Sequence, residues 1–138
     1  MTMSATLPPE LYWLTLTCLL TGLLWVPYIL QLIVQLGPVQ AIWDPTGAHP
    51  HDADWALRAK RAHYNAVENL AVFAPLALVV ALTGSGTSMT ATAAAAYFFL
   101  RLAHCLIHTA AVPVVRTLVF LGGWACQMVL GLTLLGLI

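Results

Sequence analysis

The sequence predicts an all-α membrane protein, a bundle of four transmembrane helices that forms one domain over residues 1–138. Composition is the first observation: 61% of the residues are hydrophobic and 7% are charged, whereas a soluble domain carries roughly 25% charged residues. The second is length, because a helix needs about 20 mostly apolar residues to cross the hydrocarbon, and four stretches qualify. The third is a formal net charge of +0, which argues against nucleic acid as a partner.

The four spans are expected at about residues 11–36, 57–82, 89–111 and 114–138. The first connection contains Gly-Pro, Asp-Pro-Thr-Gly and His-Pro-His-Asp, which predict a polar loop with room for a short helix. The second is a tight turn in which Thr87 or Ser88 caps the third helix. The third is little more than residues 111–113, and Pro113 suits the first turn of the fourth helix.

The basic residues predict an orientation. Arg58, Lys60, Arg61 and Arg116 flank the first and third connections, while the second connection and both chain ends carry no Lys or Arg. The positive-inside tendency therefore places the first and third connections in the cytoplasm and the termini outside.

Polar residues on the second span form a stripe that descends into the predicted membrane. At 100° per residue the stripe is about 100° wide and contains Arg58, Arg61, Asn65, Glu68 and Asn69. Lys60 and His63 fall outside it and are expected to serve the surface. A carboxylate at the depth of Glu68 needs a cation, and antiparallel packing brings Arg101 within one turn of it. We therefore expect a Glu68–Arg101 ion pair inside the bundle.

A second polar stripe lies on the third span and includes Arg101, His104, Cys105 and His108. His104 and His108 have the spacing of a metal-binding pair, but no third ligand is evident beyond the adjacent Cys105, so hydrogen bonding is favoured and no metal is expected. Arg116 would lie near His108 at the cytoplasmic mouth. Such a pocket suits an anionic, polar ligand beside a lipophilic one. The alternative is that the basic residues anchor helices at lipid headgroups and the ion pair locks the bundle.

The motif Arg-Ala-x-Arg-Ala-His-x-Asn-x-x-Glu-Asn at residues 58–69, followed by Phe73 and Pro75, resembles the signature of the MAPEG family. These are membrane-associated proteins in eicosanoid and glutathione metabolism. Arg101-Leu-Ala-His, Pro113 and Arg116-Thr are similar to the third-to-fourth helix region of the glutathione transferases and prostaglandin synthases in that family. The resemblance spans nearly the whole chain and is nearest to the family's bacterial branch.

The resemblance implies a homotrimer that binds glutathione between subunits near the cytoplasmic side. It assigns thiol contacts to Arg61, Asn65, Glu68, Arg101 and His104, with Arg58 as a further carboxylate partner. Arg116 matches the arginine that activates the thiol. A lipophilic electrophile or hydroperoxide would arrive through the bilayer, here the bacterial inner membrane.

The chain departs from the family pattern at four places. Its first span has no arginine, Leu57 stands where a glutamate is common, and His108 stands where prostaglandin synthases have a tyrosine. Arg116 is also one residue closer to Arg101 than in the animal pattern. Two hypotheses follow: a thiol-dependent transferase or peroxidase, and a non-catalytic membrane protein whose polar stripes serve trimer assembly or lipid binding.

Overall fold

The computed structural model describes residues 7–43 and 49–138. Those residues form six α-helices and no strand, with the bounds α1 Pro9–Leu23, α2 Val26–Leu36, α3 Pro38–Ile42, α4 Asp54–Thr83, α5 Ser88–Thr109 and α6 Pro113–Leu134. Four segments are long and apolar enough to cross a membrane, namely Pro9–Leu36, Asp54–Thr83, Ser88–Thr109 and Pro113–Leu134. The predicted fold class of four transmembrane helices is confirmed.

The first span consists of two helices, α1 and α2, where the sequence predicts one. Pro27 causes the break, because it has no N–H to donate to the carbonyl of Leu23 and its ring crowds the preceding turn. Trp25 keeps helical angles, φ −73 and ψ −24, and α1 and α2 together make up the one apolar segment Pro9–Leu36.

The turn between α4 and α5 is built from local hydrogen bonds. Gly84 ends α4 in the left-handed region at φ 67, where glycine has no side chain to clash. The Ser85 N–H then donates to the Val80 carbonyl at 3.1 Å. Thr87 caps α5, as predicted, since its hydroxyl accepts from the Thr90 N–H at 3.1 Å while the Thr90 hydroxyl accepts from the Thr87 N–H at 2.7 Å.

The bundle packs α1 against α4 and α5, and packs α6 against α5 and α4, while α2 contacts α4 and the short helix α3. Phe73 and Tyr97 stack at the centre with ring centroids 3.8 Å apart. Arg58 on α4 donates from Nε to the Thr109 carbonyl on α5 at 2.9 Å, so the first and third connections lie at one end. We call this the basic end, and the opposite end, with the α4–α5 turn, the turn end.

The first connection contains the short helix that its length allows, α3, and is fastened to α2. Gln35 donates from Nε2 to the Pro50 carbonyl at 3.0 Å and accepts from the Asp52 N–H at 3.1 Å. His51 Nδ1 and Gln31 Oε1 are 2.7 Å apart. The predicted Asp-Pro-Thr-Gly turn, residues 44–47, lies outside the described residues.

Candidate functional site

Small buried residues on α4 decide which way its polar stripe faces. Ala56, Ala59, Ala62 and Ala66 are buried against the neighbouring helices. Arg61 and Glu68 each follow a buried alanine by two positions, which turns them about 200° away from the bundle. Both side chains are exposed on the single chain, whereas Arg58, Asn65 and Asn69 are half-buried at the edge of the packed face.

Arg58 is committed to the end of α5. Its Nε–H bond to the Thr109 carbonyl supplies a donor to one of the last carbonyls of that helix, where the helix dipole also favours a cation. Arg58 therefore fixes the geometry of the basic end and still has its terminal amino groups for other contacts.

Arg101 crosses the interior of the bundle and is 2% exposed. Nη1 donates to Asn65 Oδ1 and Nη2 donates to the Phe120 carbonyl, both at 3.4 Å. The guanidinium carbon lies 5.3 Å from the ring centroid of Tyr97 and 5.6 Å from that of Phe120. Gly123 leaves the necessary space, because a Cβ there would collide with Nη2.

The expected Glu68–Arg101 ion pair is wrong for the single chain. Arg101 does reach α4, as antiparallel packing predicts, but its partner there is Asn65. Glu68 lies three positions further along, about 300° around the helix, and faces outward. Aromatic faces and neutral oxygens hold Arg101 in place of a carboxylate.

A cavity of about 280 Å³ opens at the basic end, and it brings together three of the predicted site residues. It is lined by Asn65, His104, His108, Arg116, Thr117 and Phe120. His104 is 4% exposed and its ring packs edge-on against that of His108, with centroids 5.5 Å apart. The cavity thus offers one cation, two imidazoles, an amide and a hydroxyl beside an aromatic ring.

Sequence reasoning missed Thr117 and Phe120, although their spacing from Arg116 places them near it on α6. It also misplaced His63, which is half-buried and lies 2.9 Å through Nδ1 from the Tyr28 hydroxyl. Tyr28 packs edge-on against His51, so the first connection, α2 and α4 share one polar network. Gln31 and Gln35, four residues apart in an apolar span, were the available signal.

A larger groove, about 650 Å³, lies along the outer face of α2 and is mostly apolar. Asp52 is the one charged side chain among its lining residues, so it provides less chemistry than the basic-end cavity. Across residues 7–43 and 49–138, no group of three or more His, Cys, Asp or Glu side chains is placed to hold a metal ion.

Comparison with known proteins identifies the family. The model of the MAPEG family matches residues 11–136, which includes nearly all of the four spans and every residue that lines the basic-end cavity. No curated protein and no solved structure matches the chain. The spans and the match together make this a multi-pass integral membrane protein. Since the match covers most of the 138-residue chain, the protein belongs to the MAPEG family.

Proposed function

We propose that the protein is a membrane transferase or peroxidase that uses glutathione or a related low-molecular-weight thiol. The observation that carries this proposal is the basic-end cavity, where Asn65, His104 and Arg116 converge. The thiolate is the nucleophile, and because an unperturbed thiol has a pKa near 8.5, a nearby cation is needed to make it the main form at neutral pH. Arg116 supplies that cation.

In the transferase reaction the thiolate sulfur attacks an electrophilic carbon and the leaving group departs with the bonding electron pair. In the peroxidase reaction the sulfur attacks the distal oxygen of a hydroperoxide, which gives a sulfenic acid and an alcohol. A second thiol then reduces the sulfenic acid, yielding a disulfide and water. Both reactions suit a lipophilic substrate that reaches the cavity through the bilayer.

The cavity volume supports a site shared between subunits. About 280 Å³ is just below the roughly 300–1,000 Å³ typical of ligand pockets, so a single chain offers less room than an ordinary ligand site. Arg61 and Glu68 are exposed on the outer face of α4. In a homotrimer a neighbouring subunit covers that face, where Arg61 and Arg58 bind the carboxylates of the thiol and Glu68 binds its ammonium group.

The remaining residues position these contacts. Asn65 and His104 hydrogen-bond the peptide groups of the thiol, and Arg101 orients Asn65 from behind through its Nη1 bond. We propose that the basic end faces the cytoplasm, with the termini outside, in the inner membrane of a bacterium. This orientation is supported by the four Lys and Arg side chains at that end.

The first experiment measures thiol binding and activation in the purified protein. Calorimetry with glutathione and stopped-flow absorbance of the thiolate should both give a signal. Arg116→Ala should lower thiolate formation by about a hundredfold, the typical effect of removing one electrostatic stabiliser, and leave the trimer intact. Lys60→Ala is the matched control, because it removes a cation that lies outside the cavity and should change nothing. Absence of binding at millimolar thiol would contradict the proposal.

The alternative is a non-catalytic protein whose polar residues serve trimer assembly or lipid binding. Two observations favour it: Arg58 and Arg101 already have partners within the chain, and the first span contributes no basic residue. Under this alternative Arg116→Ala leaves thiol binding unchanged because there is none, and the trimer or its lipid content changes instead.

A further inference from the structure

A carboxylate is buried at the turn end, far from the basic-end cavity. Glu10, in the first turn of α1, is 2% exposed, although glutamate is almost never fully buried unless it is paired. The Thr90 hydroxyl donates to Oε1 at 2.6 Å. Within the described residues Oε2 accepts no hydrogen bond, and Glu10 forms no ion pair.

No lysine or arginine of this chain lies at the turn end. All five Lys and Arg residues lie elsewhere: Arg58, Lys60 and Arg61 begin α4, Arg116 begins α6, and Arg101 contacts Asn65. The N-termini of α1 and α5 each carry about half a positive charge and the C-terminus of α4 about half a negative one, so the nearby helix ends supply less than one full positive charge. Within residues 7–43 and 49–138, the carboxylate of Glu10 therefore has no side-chain cation as a partner.

Glu10 lines a cavity of about 440 Å³ between the start of α1 and the α4–α5 turn. The lining residues are Pro8, Pro9, Glu10, Val80, Ala81, Gly84, Gly86, Thr87, Ser88 and Ala91. Gly86 leaves room for the carboxylate, since a Cβ there would stand 3.1 Å from Oε1 and 3.4 Å from Oε2. Glu10 follows the first residue of the span Pro9–Leu36, so the cavity lies near the membrane boundary.

We propose that this cavity binds a primary ammonium group, with Glu10 Oε2 as its counter-ion. A metal ion fits less well, because Ca²⁺ takes about 6–8 oxygen ligands and the cavity supplies one carboxylate. An ammonium group has three N–H donors, which suits Oε2 together with a second oxygen of the cavity lining, such as the hydroxyl of Ser88 at the start of α5. The group belongs either to a free alkylamine or to an ethanolamine lipid headgroup.

The test uses the full chain in phosphatidylglycerol nanodiscs. Native mass spectrometry counts retained phosphatidylethanolamine or phosphatidylcholine, and calorimetry follows titration with free ethanolamine. We expect retention of the primary-amine lipid, binding of free ethanolamine, or both, and about tenfold weaker retention of phosphatidylcholine, whose quaternary nitrogen has no N–H donor. If phosphatidylethanolamine is retained and free ethanolamine does not bind, the ammonium group comes from the lipid headgroup. If ethanolamine binds without displacing lipid, the ligand is the free amine.

Three variants make the result specific to Glu10. Glu10→Gln removes the charge with little change of shape and should weaken amine binding about tenfold. Gly86→Ala crowds the carboxylate while leaving Glu10 in place, and it should also weaken amine binding about tenfold. Gly22→Ala is the control, because a Cβ there meets nothing within 4 Å, and it should bind as the wild type does. Equal retention of the two lipids with no binding of ethanolamine, or amine binding unchanged in both Glu10→Gln and Gly86→Ala, would overturn the proposal.

Discussion

Arg101 is held in the bundle by neutral groups and aromatic rings. Burying both members of an ion pair removes two charges from water, and that cost often equals the gain. A guanidinium is weakly hydrated and stacks on rings, so Tyr97, Phe120 and the amide of Asn65 serve as its partners, while the buried Nε has no hydrogen-bond acceptor among the described residues. Glu68 is thereby left available for contacts outside the chain.

Gly123→Ala tests how tightly this arginine is packed. The new Cβ would collide with Nη2 and lie 3.0 Å from the guanidinium carbon, so Arg101 must move and we expect a loss of about 1–3 kcal/mol. Thermal unfolding in detergent measures it. Gly131→Ala on the same helix is the control, since its Cβ meets only a Leu76 methyl at 3.9 Å, and better helix propensity should raise stability. Equal effects of the two substitutions would contradict this packing.

His51 should make stability depend on pH. Burial, and then the nearby Lys60, lower the pKa of His51 below its ordinary value of 6.5. The folded protein therefore binds this proton more weakly than the unfolded chain, so stability is retained above about 6.5 and falls as the pH drops below it. His51→Gln should flatten that part of the profile of unfolding midpoint against pH. Superimposable profiles for the two proteins would show that His51 contributes nothing.

The helices α4 and α5 are both followed by a residue in the left-handed conformation, but the residue is a glycine in one and an alanine in the other. Gly84 takes the left-handed conformation after α4 without strain, whereas Ala111 takes it after α5 at φ 63. The Val112 N–H still donates to the Ile107 carbonyl at 3.2 Å, so the hydrogen bonds of the helix end are kept. The cost is the crowding of the alanine Cβ against the backbone.

Ala111→Gly should relieve this strain and stabilise the protein by about 1 kcal/mol. The neighbouring substitution Ala110→Gly is the matched control, because Ala110 has ordinary helical angles, φ −75 and ψ −2. There glycine only adds freedom to the unfolded chain and should destabilise. Thermal unfolding of both variants decides the matter, and a destabilised Ala111→Gly protein would be inconsistent with the left-handed geometry.

At the scale of the whole molecule, a single chain leaves charged side chains on the outer face of a membrane-spanning helix. Arg61 and Glu68 are exposed there, and a charge facing lipid inside the membrane costs about 2.5 kcal/mol or more. The proposed trimer removes this cost, because the same face becomes an interface with polar partners. Assembly and the thiol site would then depend on the same residues.

Glu68→Ala should separate folding from assembly. We expect little change in helix content, because the side chain is exposed on the single chain, but a loss of about 2 kcal/mol or more in association. Chemical cross-linking and native mass spectrometry measure the trimer fraction. Val67→Ala, at a position that is 47% exposed, is the control for truncating an outward side chain. A trimer fraction unaffected by Glu68→Ala would argue against this interface.

The sequence by itself determined the number of spans and the cap of the third helix. The first follows from hydropathy and segment length and the second from turn chemistry at Thr87. Of the seven predicted site residues, Asn65, His104 and Arg116 line the basic-end cavity.

Only the tertiary structure decided which way each residue faces. In a membrane span both the lipid-facing and the buried positions are apolar. Periodicity therefore located a polar stripe on α4 but could not show whether it faces the bundle or the outside. Packing of Ala59 and Ala66 set that direction, turned Glu68 outward and gave Arg101 to Asn65. The contact between Glu10 and Thr90, 80 positions apart, likewise arises from how α1 meets the α4–α5 turn, which no local pattern encodes.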